Sequence, residues 1–195
     1  MQRVFCTFAT NFSDMTEFNQ MQKIKRNLFA MRNGIVADTL RKAGSPFPII
    51  FGVNLPQLDE IAAATGKSEQ LACELFNDCR CRESMLIAPM LMPIENMSLD
   101  MAMEWLAKSK TAEVTDVLCH KLLRKLPDAS EIVKKALGAD TDMVRYGGIR
   151  LLWNLLPSPA KDFKKEIQKE VERNCPLTRR VAESLLEELD FLESC

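Results

Sequence analysis

From Ser13 onward, apolar residues recur at intervals of three and four, and caps or helix breakers interrupt them at short intervals. The first run, SDMTEFNQMQKIKRNLF, takes Ser13 or Asp14 as its N-cap and sets Met15, Phe18, Met21, Ile24 and Leu28 on one helical face. MRNGIVADTLRKAG follows, with Gly44 as its C-terminal stop. In SPFPIIFGVN, Pro46 and Pro48 each disfavour helix in the residue before them, so this stretch is extended or looped. Helix resumes in NLPQLDEIAAATG, with Asn54 as cap, Pro56 in the first turn and Gly66 as terminator. Beyond it SEQLACELFND, RESMLIAPML, SLDMAMEWLAKS, TAEVTDVLCHKLLRKL and ASEIVKKALG all carry helical periodicity. So do TDMVRYGGIRLLWNLL, SPAKDFKKEIQKEVERN and CPLTRRVAESLLEELDFL. Most breaks contain Ser, Thr, Asp, Gly or Pro, and no segment from Gly52 to Cys195 alternates as a strand would.

Many short helices joined by brief turns predict an all-α fold in which antiparallel helix pairs stack in series. This is the logic of a HEAT-like helical repeat solenoid, here taken as one domain over residues 1–195. The repeats show no strict period, so an ordinary globular helical bundle is the alternative. At 47% hydrophobic and 27% charged, the chain has a globular composition. No stretch approaches the ~20 uninterrupted apolar residues that a bilayer span requires, so no membrane partner is expected. The opening MQRVFCTFATNFSD lacks the pattern of a signal peptide. Seven cysteines, an odd number at scattered spacing, do not form a secreted disulfide framework. Cys79-Arg80-Cys81 has no second Cys/His pair at zinc spacing, so neither metal nor cofactor is expected, and a reducing, cytoplasmic setting is. Lys and Arg number 26 against 27 Asp and Glu, so any basic stripe must be offset elsewhere.

The helix predicted over Thr111–Leu126 carries the most suggestive polar residues. Val114, Leu118, Leu122 and Leu126 form its apolar stripe, which Cys119 and Leu123 widen. Asp116 falls at the stripe's edge, with His120 and Arg124 following at i,i+4 spacing. The plain reading is a ladder of surface contacts worth ~0.2–0.5 kcal/mol each. Lys121, Arg124 and Lys125 make a basic helix end; Lys121 and Arg124 are candidate nucleic-acid contacts, although cations there also complement the macrodipole. Arg82-Glu83 is either a phosphate contact through Arg82 or an ion pair joining helices. Arg145 and Arg150 do not share a helix face closely, and Arg145 is the preferred phosphate contact. Gly147-Gly148 inside a helix implies close helix packing or close approach of a ligand backbone. Ile149, Leu152, Trp153 and Leu156 recur as core.

Several of these residues also stand in a familiar order. Gly52, Val53, Pro56, Leu58 and Ala62 match a G-V-x-x-P-x-L/R-x-x-A opening; Leu75-Phe76 leads into Arg82-Glu83; a helix bearing Asp116 follows, and then MVRYGGIRLLW. Over roughly Phe47 to Leu156 the chain resembles the HEAT-like DNA alkylation repair family, the alkylpurine DNA glycosylases. The resemblance implies a basic concave face laid along duplex DNA, alkylated or not. It implies hydrolysis of the N-glycosidic bond of cationic N3- or N7-alkylated purines without a metal. Asp116 would be the catalytic carboxylate that stabilises the oxocarbenium-like sugar, with Arg145 as a phosphate contact. The chain departs from the family where Trp residues precede the carboxylate, because Thr111-Ala112-Glu113-Val114 contains no aromatic. Nor does Glu183–Cys195 supply the family's C-terminal Trp. The alternative is a non-catalytic HEAT-like module that binds DNA structure or a protein partner.

Overall fold

The computed structural model describes residues 12–194, so the reading of the first residues as no signal peptide lies outside them. Met15 and Phe18 of the first predicted stripe lie outside the described side chains. Eleven α-helices are present among the described residues: α1 (Phe12–Ala30), α2 (Gly34–Lys42), α3 (Leu55–Thr65), α4 (Glu69–Asn77), α5 (Arg82–Leu91), α6 (Leu99–Lys108), α7 (Ala112–Lys121), α8 (Ala129–Leu137), α9 (Asp142–Asn154), α10 (Lys164–Glu172) and α11 (Arg179–Ser194). Helix α4 packs on α5, α8 on α9, and α10 on α11. Successive contacts α3–α5, α5–α7, α7–α9 and α9–α11 build one continuous ladder, while α6 packs on α8 in a second layer. This is an all-α stack of antiparallel pairs.

Local chemistry sets the helix starts. The Asn54 side chain accepts from the Gln57 N–H while the Gln57 side chain accepts from the Asn54 N–H, a reciprocal capping box. The side chains of Asn33, Ser68, Ser98 and Thr111 accept from first-turn N–H groups and cap α2, α4, α6 and α7. All ten residues of α5 are buried, which fits a helix apolar nearly all round and packed on α3, α4 and α7. The segment before α3 is a loop, as its prolines require, and it docks on the start of α5: Ile49 donates to the Arg80 carbonyl and accepts from the Arg82 N–H.

Helix α7 stops earlier than its periodicity predicts. It ends at Lys121, and Leu123–Lys125 tightens into a 3₁₀ turn before an extended Leu126. Pro127 keeps the helix from resuming, because its ring disfavours helix at Leu126 and would clash with the Leu123 carbonyl. At the other end of the chain, α11 begins at Arg179 and not at Cys175.

Two glycines are needed for close approach. Gly52 has φ +76°, and a Cβ there would lie 2.3 Å from the Asn33 carbonyl oxygen. A Cβ on Gly147 would lie 2.5 Å from Leu106 Cδ2 and 3.3 Å from Thr115 Cγ2, while Gly148 faces Ala136 and Leu137. The Gly-Gly pair therefore lets α9 pack tightly against its neighbours. Gly52→Ala is expected to lower unfolding free energy by more than about 2 kcal/mol, combining backbone strain with a backbone clash. Gly147→Ala is expected to cost about 1–3 kcal/mol, because a buried leucine must move. Urea unfolding of both variants checks the order, Gly52 being the more severe.

Candidate nucleic-acid interface

Asp116 stands on α7 with its side chain about one-third exposed (34%), and its partners come from α9. Oδ1 accepts from Arg150 Nε at 2.6 Å and from the Tyr146 hydroxyl at 3.0 Å. Tyr146 and Arg150 are one turn apart on α9, so a single helical face presents both donors. Burial pushes the Tyr146 hydroxyl pKa well above its ordinary value, and the charge and hydrogen bond of Asp116 add to the rise. Cys119, fully buried with Sγ 3.4 Å from the Gly147 carbonyl, is raised by burial first and by Asp116 second. That thiol is unsuited to nucleophilic work.

The expected Asp116–His120–Arg124 ladder does not form. His120 Nδ1 instead lies 2.9 Å from Asn154 Oδ1. Arg124 has left the helix altogether, because the break at Leu122 carries it onto the 3₁₀ turn, where it is exposed. Spacing of four residues implies adjacency only while the helix continues.

Arg145 requires a correction. It is only 6% exposed, and its guanidinium is committed within the protein. Nε donates to Glu170 at 3.1 Å, Nη1 donates to the carbonyls of Ala139 and Asp140, and Nη2 pairs with Asp142. Burial alone would lower its pKa, but Glu170 and Asp142 outweigh that and raise it. A guanidinium bonded on all three nitrogens inside the fold is not presented to a phosphate. Arg82 is similarly placed. It forms a fork onto Glu113, donating from Nε at 2.7 Å, and its Nη1 donates to Glu83 at 2.7 Å. The ion-pair alternative describes Arg82.

Lys121 grips both carboxylate oxygens of Asp59, at 2.9 and 2.8 Å, reaching from α7 to α3. Beside it lies a shallow cleft of about 380 Å³, whose lining includes Asp59, Lys67, Met90, Lys121 and Lys125. Lys67 donates to the carbonyls of Met90 and Met92 where α5 ends. Desolvation lowers its pKa first, with Lys125 next, so these two ammonium groups repel one another. Lys67, Lys121 and Lys125 thus converge on one edge of the ladder, where α3, α5 and α7 end, and Arg124 is exposed on the adjoining turn. Neither Lys67 nor Asp59 was indicated by sequence spacing. The only hint was that Lys67 directly follows the helix-terminating Gly66.

Trp153 is partly buried and donates from Nε1 to the Val181 carbonyl at 3.3 Å, in keeping with a core role. Among the described residues, no three His, Cys, Asp or Glu side chains gather as a metal site would need, and no helix is long and apolar enough to cross a membrane.

No protein-family model matches the chain, and no curated protein matches it. A solved structure described as "a new family of proteins related to the HEAT-like repeat DNA glycosylases with affinity for branched DNA structures" is similar in fold. Its TM-score is 0.72, at 16% sequence identity, over 85% of this chain and 73% of that one. The architecture is therefore a HEAT-like helical repeat.

Removing Arg145 as Arg145→Ala leaves Glu170 buried without its main counter-charge and is expected to destabilise by about 3–5 kcal/mol. Arg124→Ala, on the exposed turn, should stay within about 0.5 kcal/mol of the parent; denaturant titration of both checks the contrast. Tyr146 has a second, pH-dependent signature. Its folded pKa exceeds its unfolded value of about 10, so the stability it contributes is complete below that pH and declines above it. Between pH 9 and pH 11, the fall in stability should be smaller in Tyr146→Phe than in the parent.

Proposed function

We propose that this HEAT-like protein binds DNA and recognises its structure without cleaving it. The observation that carries the reading is the gathering of Lys67, Lys121 and Lys125 around one cleft at the edge of the helix ladder, with Arg124 exposed on the adjoining 3₁₀ turn. Positive charge gathered at one edge suits a phosphate backbone, even in a chain whose net charge is -1. The fold shared with a family described as having affinity for branched DNA supports the same class of ligand. Lys121 keeps its charge partly satisfied by Asp59, whereas Arg124 and Lys125 are exposed and carry the phosphate contacts.

Chemistry argues against base excision as the main activity. A carboxylate stabilises a forming sugar cation to the extent that its own charge is unspent. Arg150 at 2.6 Å opposes the charge of Asp116 and would itself repel an oxocarbenium centre. One observation favours the second reading, hydrolysis of alkylpurine glycosidic bonds. Both hydrogen bonds to Asp116 fall on Oδ1, leaving Oδ2 for a substrate.

Fluorescence anisotropy with duplex and branched DNA over a salt series tests the proposal. Binding should weaken steeply with salt, and Arg124→Gln/Lys125→Gln should reduce the log–log slope by about 2, near 0.9 for each phosphate contact. Salt-independent binding, or indifference to the double substitution, would sink it. Incubation with methylated duplex decides the second reading: release of 7-methylguanine by the parent but not by Asp116→Asn would establish excision.

A further inference from the structure

We infer that the groove between the α1–α2 hairpin and the loop before α3 is a seat for an unpaired DNA base. This rests on the DNA-binding reading and names the kind of DNA. Residues 20–50 carry Lys23, Lys25, Arg26, Arg32, Arg41 and Lys42 against one acidic residue, Asp38, in a chain whose net charge is -1; Lys25 pairs with Asp78 and Arg41 with Asp38, which leaves Lys23, Arg26, Arg32 and Lys42 in excess. Such a concentration of positive charge is found in one helical hairpin, and it coincides with exposed apolar surface. Phe29 is 56% exposed, Ile35 82% and Ile49 37%. Between them lies a groove of about 350 Å³, lined among others by Phe29, Arg32, Arg41, Ile49 and Phe51. That volume is within the range of sites that hold small planar ligands.

The groove contains an ordered stacking element. Arg32 places its guanidinium carbon 4.0 Å from the centroid of the Phe29 ring and donates from Nη1 to the Phe29 carbonyl at 2.8 Å. Phe51 meets Phe29 edge-on, with centroids 6.5 Å apart and planes at 89°. The aromatic and guanidinium planes are therefore held before any ligand arrives, which spares the ordering cost of forming them on binding. Arg41 is fixed as well, by Asp38 and by the Ile50 carbonyl. Arg26 stands one turn before Phe29 on α1, Lys42 follows Arg41 at the end of α2, and both are exposed.

Paired bases inside a duplex are stacked on their neighbours and cannot enter such a groove. A base at a branch point, a gap or a single-stranded end can. Stacking on an Arg–Phe element tolerates any base, because every base offers a π-face. Phosphates flanking that base would meet Arg26, Arg32 and Lys42. Apolar surface together with concentrated positive charge selects a polyanion that carries flat apolar groups, which describes unpaired DNA.

Anisotropy titrations with fully paired duplex, a single-stranded oligonucleotide and a three-way junction carrying unpaired bases test this. The variants are Phe29→Ala, Phe29→Trp, Arg32→Ala and the Arg124→Gln/Lys125→Gln control. The parent should bind the two DNAs with unpaired bases more tightly than the duplex. Phe29→Ala and Arg32→Ala should each weaken those two about tenfold and leave duplex binding unchanged, while Phe29→Trp retains parental affinity. Both side chains are exposed, so an unchanged thermal midpoint verifies that the variants fold. Equal affinity of the parent for all three DNAs would overturn the inference. So would a loss in Phe29→Ala that is equal for paired and unpaired DNA, or absent for both. If Arg124→Gln/Lys125→Gln still weakens binding in those cases, the wider DNA-binding reading stands. Failure of the parent to bind any of the three at low salt overturns both, and leaves the groove to a protein.

Discussion

A carboxylate with no solvent exposure, Glu83, sits at the first turn of a helix buried along its whole length, and much of the N-terminal half is organised around it. Its two oxygens accept from the backbone N–H groups of Phe51 and Gly52 at 3.0 and 2.9 Å, and Arg82 donates to it at 2.7 Å. An ionised group withdrawn from water is tolerated only when it is paired and fully hydrogen-bonded, as this one is. The same contacts hold the irregular segment ahead of α3 in place, and Gly52 then passes against the Asn33 carbonyl. Arg82 carries the network onward to Glu113, so α5 and α7 are joined through charge as well as through packing. The groove that receives Phe51 depends on this loop.

The C-terminal half repeats the device with other residues. Glu170, 2% exposed, accepts from Arg145, Arg173 and Thr178 and ties α9 to α10 and to the turn before α11. Arginine suits such positions because its planar fork meets several acceptors at once. In both halves the arginines that look most functional by motif are occupied in holding helix pairs together. Cations free for an external anion include Arg124 and Lys125 on the exposed 3₁₀ turn after α7 and Arg26, Arg32 and Lys42 in the α1–α2 hairpin. A near-neutral chain can therefore present local positive surface, since its acids are concentrated in pairs elsewhere.

Asp116 illustrates how a carboxylate takes its character from its surroundings. It lies at the edge of the ladder, where Arg150 and Tyr146 bind it, and no aromatic precedes it in the turn. An arginine beside a carboxylate makes it half of an ion pair and weakens it as a stabiliser of developing cations. Exposed aromatic surface with a stacked arginine occurs instead on the first two helices, at Phe29 and Arg32. That distribution of charge and aromatic surface supports the proposed recognition of DNA form over base excision.

The all-α architecture, the cap at Asn54, the breakers at Gly44 and Gly66 and the buried stripe of α7 were legible in the sequence. Each depends on interactions within a few residues, where spacing and side-chain type suffice. The close packing behind Gly147-Gly148 was legible as one of two alternatives for the same reason. What could not be read was which arginine meets which carboxylate. Arg150–Asp116, Arg145–Glu170 and Lys121–Asp59 join residues 34, 25 and 62 positions apart. Nor could periodicity foresee that α7 would end early and detach Arg124 from Asp116. By itself the sequence determined the helices and their apolar faces. Only the tertiary structure decided which charges face one another and which face solvent, because pairing depends on how helix stacks bring distant residues together.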